Sequence, residues 1–349
     1  MDTLSPVAGP KLARAHEAVG PKASLAIWYW AAIGAFFVLW ESWIFGNWFA
    51  YDFHPTNPGP SYVPEWMRIA VRGNDIFWAV AIAVTAYYAV IRPKIKTGQF
   101  SFTGLFCMAF IFAWWQDCLF SYNSMGFSYS SLTWNMGSWG CHIPGWRSPG
   151  GCHLSEPLTW DFSFYFVLTA LGAIFASWVM HQVKAKNPAI RVEVLFLGLY
   201  VLAGIADFIL EFAWVAMGVY HYGGVANDMA IFTNSRLKFP MWEPVAIGWY
   251  MCCFTAIVFY RDDKGETWAE RGLSHVRLGA GSKTFLRYLA LVGILNVVFL
   301  VGYSIPAMLL QTQASAWPAQ TQSLSYFTNG ICGEGTAYAC GGGRHPDAV

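Results

Sequence analysis

The sequence predicts an all-α, polytopic membrane protein: a bundle of about seven transmembrane helices with structured outer loops. Three observations predict it. Hydrophobic residues make up 56% of the 349-residue chain and charged residues only 12%, against about 25% charged in a soluble domain. Phe, Trp and Tyr contribute a further signal at 18%. The apolar residues also gather into windows of about 20, the length that crosses a ~30 Å hydrocarbon core, whereas barrel strands would be about 10 residues with strict alternation. A net charge of +1 leaves no basic surface for nucleic acid.

The windows are 24–46, 73–91, 100–121, 159–181, 194–220, 240–260 and 288–310. The first reads as an uncleaved span. Its apolar stretch is too long for a signal peptide and carries no small-residue cleavage site. The second lies between Arg72 and Arg92, and the remaining five are continuous apolar runs. Orientation follows from the basic residues, which favour cytoplasmic loops. Of the 21 Lys and Arg residues, only Arg68, Arg72, Arg147, Arg236, Lys238 and Arg344 fall on one side; the rest share the side of the N-terminus. The expected domain order is therefore a cytoplasmic segment at 1–23, a transmembrane domain at 24–310 and an extracytoplasmic tail at 311–349 packing on the outer face. The stretch "GGGRHPDAV" at the end of the tail is expected to be disordered. The whole reads as an integral protein of the bacterial cell membrane, N-terminus inside and C-terminus outside.

Cysteine placement agrees. Cys141, Cys152, Cys332 and Cys340 fall in segments assigned outside, where disulfides persist. Four cysteines allow three pairings; Cys141–Cys152 and Cys332–Cys340 close the shortest loops. The repeated Gly-Cys-His at 140–142 and 151–153 has the residue types of a zinc site. Adjacent Cys–His pairs cannot easily point at one ion, however, so a disulfide hairpin is expected and no metal.

The spans carry acids: Glu41, Asp75, Asp117, Asp161, Asp207, Glu211 and Glu243. All fall in the outer half or at the midplane of the predicted topology. Asp75, Asp161 and Glu243 open their helices, where solvated interfacial acids also occur and the dipole favours them. Asp207 and Glu211 differ. They sit four residues apart in "AGIADFILEFAWVAMG" and so share one face. One charged group at a helix centre costs about 2.5–3.5 kcal/mol, and few bases lie at that depth. Two close carboxylates in low dielectric do not readily both ionise, so the pair is expected to share a proton, which equips it for general acid–base chemistry. Trp114, Trp115, Phe120, Trp134, Trp160, Phe212, Trp214, Tyr220 and Trp242 supply rings whose faces stabilise a developing cation, although Trp and Tyr also gather at membrane interfaces for amphipathic reasons. His54 and His221 are outer-loop candidates to reach the site.

The stretches "FAWWQDCLFSYNS", "WNMGSWGCHIPGWRSPGG", "EPL", "DFILE", "WEP" and "SYFTNGICGEGT", in this order, resemble the AveC-type spirocyclase family of multi-spanning, mainly actinobacterial proteins. The resemblance covers roughly 25–340. It implies a secondary-metabolism activity that closes a spiroketal from a dihydroxy-ketone and can dehydrate the product. The expected function is thus a cofactor-independent cyclase/dehydratase acting on a hydrophobic hydroxy-ketone, polyketide or lipid-like substrate in the bilayer. The acids themselves, not the resemblance, assign the roles. Asp207 and Glu211 form the acid–base pair, with Asp117 and Glu243 supporting. Trp114, Trp115, Gln116, Asn123, Asp161, Trp214 and Trp242 are expected substrate contacts, all around one outward- or lipid-facing cavity. Two other classes remain open: a proton-coupled transporter or lipid-binding protein, and a membrane scaffold for a partner enzyme. No inverted repeat or inner-half acid supports a transport path.

Overall fold

The computed structural model describes residues 23–341. The expectations for 1–22 and 342–349, including the disordered end of the tail, lie outside that range. Six of the described helices are long and apolar enough to cross a membrane: α1 (Leu25–Asp52), α2 (Glu65–Thr97), α3 (Phe102–Ser121), α4 (Trp160–Lys186), α5 (Val192–Met217) and α7 (Ala280–Gln313). The remaining predicted window forms α6 (Glu243–Phe259), a 17-residue apolar helix that starts at a proline-containing first turn. Seventeen residues is the lower limit for a span.

The outward faces are apolar. Ile76, Phe77, Val80 and Val84 on α2, and Leu197, Leu202, Ile205 and Ile209 on α5, are large and exposed. A band of that size on a bundle's surface suits hydrocarbon rather than water. The helices are not uniform inside. α3 is α-helical over Phe102–Ile111, then tightens to a 3₁₀ turn over Trp114–Ser121. α4 widens to a π turn at Phe164–Thr169, and α7 does so at Leu300–Ser304. Such widened turns re-aim side chains and are frequent at functional sites.

One end of the bundle carries a built cap. Strand β1 (Ser128–Tyr129) pairs antiparallel with β2 (Tyr220–His221), and β3 (Ala230–Ile231) with β4 (Phe239–Pro240). The segment after α7 folds over these loops. Trp317 Nε1 donates to Met125 O at 2.7 Å, and Asn329 Nδ2 donates to Ser128 Oγ, Tyr129 O and Ser155 Oγ. Ser325 Oγ donates to Pro58 O, tying in the α1–α2 loop. Asp75 anchors α2 to the cap: Arg72 and the Trp134 backbone N–H donate to Oδ2, both at 3.0 Å. Buried carboxylates and amides thus replace water as the partners of loop backbone.

Both expected disulfides are formed, Cys141–Cys152 and Cys332–Cys340, each with Cα atoms 5.0 Å apart. Cys332 and Cys340 are buried and eight positions apart. Closing so short a loop removes about 2–3 kcal/mol of unfolded-chain entropy. A Cys332→Ser/Cys340→Ser double variant is expected to lower the unfolding temperature and expose the tail to protease, with helical circular dichroism retained. Equal protease half-lives for variant and wild type would show that the bridge adds nothing to the cap.

Candidate active site

Helical spacing turns Asp207 and Glu211 inward from α5 while Val201, Ile205 and Ile209 of the same helix face out. Both acids are buried. Glu211 Oε2 accepts a 2.6 Å hydrogen bond from the Tyr222 hydroxyl. Burial, with the Glu211 carboxylate beside it, pushes the Tyr222 phenol well above its ordinary range, so it stays protonated and donates. Glu243, the first residue of α6, is fully buried and accepts from the Tyr303 hydroxyl on the π turn of α7. Asp207 Oδ2 and Glu243 Oε2 accept nothing from any described residue. These three acids form one group, contributed by α5 and α6.

A second group lies across from it. Carboxylate oxygens of Asp117, Glu156 and Asp161 all stand within 4.8 Å of one another. Asp117 comes from the 3₁₀ turn of α3 and Asp161 from the first turn of α4. Glu156 comes from the loop just before, where Pro157 bridges to Asn135. The 3₁₀ winding stacks every third residue, which puts Trp114, Asp117 and Phe120 on one face. Trp114 Nε1 donates to Asp161. The Tyr165 hydroxyl donates to Asp117 at 3.2 Å, and the Tyr129 hydroxyl to Asp161 at 3.4 Å.

Between the two groups is a cavity of about 30 Å³, room for one or two waters. Asp117 and Glu211 line it, together with the rings of Phe120, Phe127, Trp160 and Phe164 and five tyrosines, Tyr129, Tyr165, Tyr220, Tyr222 and Tyr303. A carboxyl on each side and phenols around them give the site proton donors and acceptors in a shell of aromatic faces. That equipment suits proton transfer and stabilisation of a cationic intermediate.

Of the expected site residues, Asp117 and Glu211 meet at this cavity; Asp207 and Glu243 stand behind Glu211 without lining it. The expected substrate contacts are distributed differently. Trp115 Nε1 and Gln116 Nε2 donate to Asn296 Oδ1, each at 3.0 Å, on the opposite face of the 3₁₀ turn from Asp117. Asn123 Nδ2 donates to Met308 O, and Trp214 Nε1 to Asn74 Oδ1. Trp242 stacks on Phe120 from outside the cavity, rings 5.9 Å apart. Trp114 and Asp161 are bonded to each other beside it. His221 is fully buried against Thr321, and burial pulls its imidazole down to about 3, so it is neutral. Neither it nor His54 lines the cavity. Glu156 escapes a count of acids within spans because it lies in a loop; its signal is that it is the only acid between Asp117 and Asp161. Tyr129, Tyr165, Tyr222 and Tyr303 carry no local signal at all.

The family model described as spirocyclase AveC-like matches residues 99–327. The chain belongs to the spirocyclase AveC-like family. The matched region covers well over half of the sequence and contains every residue that lines the cavity, whereas α1 and α2 fall outside it. The resemblance read from the motifs is thereby confirmed, and membership points to a cyclase-type function. No curated protein and no solved structure matches the chain.

Proposed function

We propose that this chain is a membrane-embedded cyclase of hydroxy-ketones, closing rings by acid–base chemistry at the cavity between Asp117 and Glu211. The observation that carries the reading is that two buried carboxyls face one aromatic, tyrosine-lined space within the family-matched region. Ring closure to a spiroketal needs no redox change. One hydroxyl adds to the ketone; the resulting hemiketal hydroxyl leaves as water with a proton from a general acid. The second hydroxyl attacks the oxocarbenium ion and gives its proton to a base. Glu211, held by Tyr222, takes the proton-transfer role, with Asp207 and Glu243 behind it as a proton reserve. The aromatic faces and the remaining carboxylates stabilise the oxocarbenium ion. Dehydration of the product uses the same groups.

The substrate class is a hydrophobic polyketide- or lipid-like keto-diol. It reaches the site after the aromatic wall parts, since a water-sized cavity admits no such molecule as it stands. A synthetic dihydroxy-ketone incubated with membranes containing the protein should yield the spiroketal plus one water. Absence of product, with proton-coupled uptake of the same compound into vesicles, would assign the chain to transport instead. Product that appears only with a second protein added would make it a scaffold.

The cap is assigned to the extracytoplasmic side. The two disulfides and the bias of Lys and Arg toward the other loops support this. A reporter fused after residue 349 should be active outside, and a tag inserted at 263–265 should be reachable only after permeabilisation. The reverse pattern would invert the topology and place the site near the cytoplasmic face.

A further inference from the structure

The group of three acids behind Tyr165 poses a charge problem. Asp117, Glu156 and Asp161 converge in a buried space, and no Lys, Arg or His side chain among the described residues bonds to any of them. Three carboxylates cannot ionise together there without compensation. The group therefore either retains protons or takes a cation.

Two further observations point to a ligand. Glu156 is 3% exposed, yet its Oε2 accepts no hydrogen bond from any described residue. Tyr220 is 1% exposed and belongs to β2, not to the acidic group. Its hydroxyl also has no described partner, and it lines the same cavity as Asp117. Unmet buried polar atoms are uncommon. A hard cation coordinated by oxygen, with a cavity water reaching the phenol, satisfies both.

We propose that Asp117, Glu156 and Asp161 bind one hard divalent cation of the Mg²⁺, Ca²⁺ or Mn²⁺ class beside the cavity, where Asp117 forms part of the wall. The donor set is all oxygen, which excludes a preference for thiolate- or imidazole-seeking metals. The spacing fits. Oxygens 2.3–2.6 Å from a Ca²⁺ ion stand up to about 5 Å apart across it, and those around the smaller Mg²⁺ about 4 Å. All three carboxylate oxygens lie within 4.8 Å of one another. A dication leaves one negative charge, which the Trp114, Tyr129 and Tyr165 donors disperse. The cavity has room for one or two waters to complete the coordination. The other candidate set, Asp52, Cys141, His142 and Cys152, has its two sulfurs joined in a disulfide.

The site is tested by binding, which does not depend on the cyclase reading. The full-length protein in detergent, stripped with EDTA and dialysed, is titrated separately with Mg²⁺, Ca²⁺ and Mn²⁺ by calorimetry and by tryptophan fluorescence. The second signal should respond because Trp114 bonds Asp161. One saturable site per chain is expected, together with a rise in unfolding temperature on adding the tightest ion. Glu156→Gln and Asp161→Asn should each weaken binding at least tenfold. Tyr220→Phe, which removes only a hydroxyl, should weaken it severalfold with the fold intact. Mn²⁺ relaxation measured on Tyr220→Phe and wild type keeps the question answerable if an acid variant does not fold. No saturable binding of any of the three ions to wild type, or affinity unchanged in Glu156→Gln and in Tyr220→Phe, would overturn the proposal.

Discussion

Glu211→Gln is expected to lower ring closure by about 10²–10⁴-fold, the range that a positioned general acid or base contributes, while the protein remains folded and inserted. The amide keeps the size of the carboxyl and can still accept from the Tyr222 hydroxyl, which stands 2.6 Å from Oε2. It cannot exchange a proton in this range. Asp207→Asn should cost less if Asp207 only supplies the proton, and a comparable amount if the two acids act as a unit, since members of a catalytic unit are not additive. Tyr222→Phe separates orientation from proton transfer. It removes a donor and leaves the acid, so the loss should be smaller and should appear as a shifted pH profile. The measurement is conversion of a synthetic keto-diol in native membranes, followed by mass spectrometry, with insertion checked by protease protection. Full turnover in both amide variants would end the acid–base assignment to α5. Because cation binding is read on Glu156 and Tyr220, failure here and failure there are separate results.

Much of the frame was legible because the bilayer forces it. A chain that must satisfy its backbone in hydrocarbon shows its helices as long apolar windows, and each predicted window is helical in the structure. The α5 pair was legible for the same local reason, since positions 207 and 211 share a face on any helix. The disulfides followed from short chain closure. The rest depends on contacts between distant segments. Glu156 reaches Asp117 only after a long loop folds back beneath the cap. Tyr129 is held beside Tyr220 at the cavity by the β1–β2 pairing, which spans some 90 residues. Trp115 and Gln116 looked like site residues because they adjoin Asp117. A 3₁₀ turn has three residues per turn, however, so it sends 114, 117 and 120 to one side and leaves 115 and 116 for Asn296. The π turns that aim Tyr165 and Tyr303 have no sequence signature comparable to a cap or a proline.

Gly293→Leu is expected to abolish recovery of folded protein, and Gly293→Ala to destabilise it by about 1–3 kcal/mol, the usual cost of overpacking. α1 and α7 cross at two glycines. A Cβ built on Gly293 would strike the backbone carbonyl of Trp30, and one on Gly34 would strike that of Leu289. The obstacles are main-chain atoms, so no rotamer change relieves them and the helices must separate. Close approach through small residues is the main source of helix association where lipid removes the hydrophobic drive. The effect would not stay local. Asn296, fully buried less than one turn from Gly293, holds both Trp115 and Gln116, the neighbours of Asp117. Phe37 and Trp40 of α1 pack on Trp115 from the other side, at 6.2 and 5.9 Å between rings. Pushing α1 away therefore loosens the 3₁₀ turn that sets Asp117 at the cavity. Gly46→Ala and Gly198→Ala are the matched controls. Both sit in helices with nothing within 4 Å of an added Cβ, so each should be neutral or slightly stabilising through helix propensity. Detergent unfolding temperatures of the three alanine variants decide the matter. If Gly293→Ala unfolds at the same temperature as Gly198→Ala, the α1–α7 crossing is not what holds the site together.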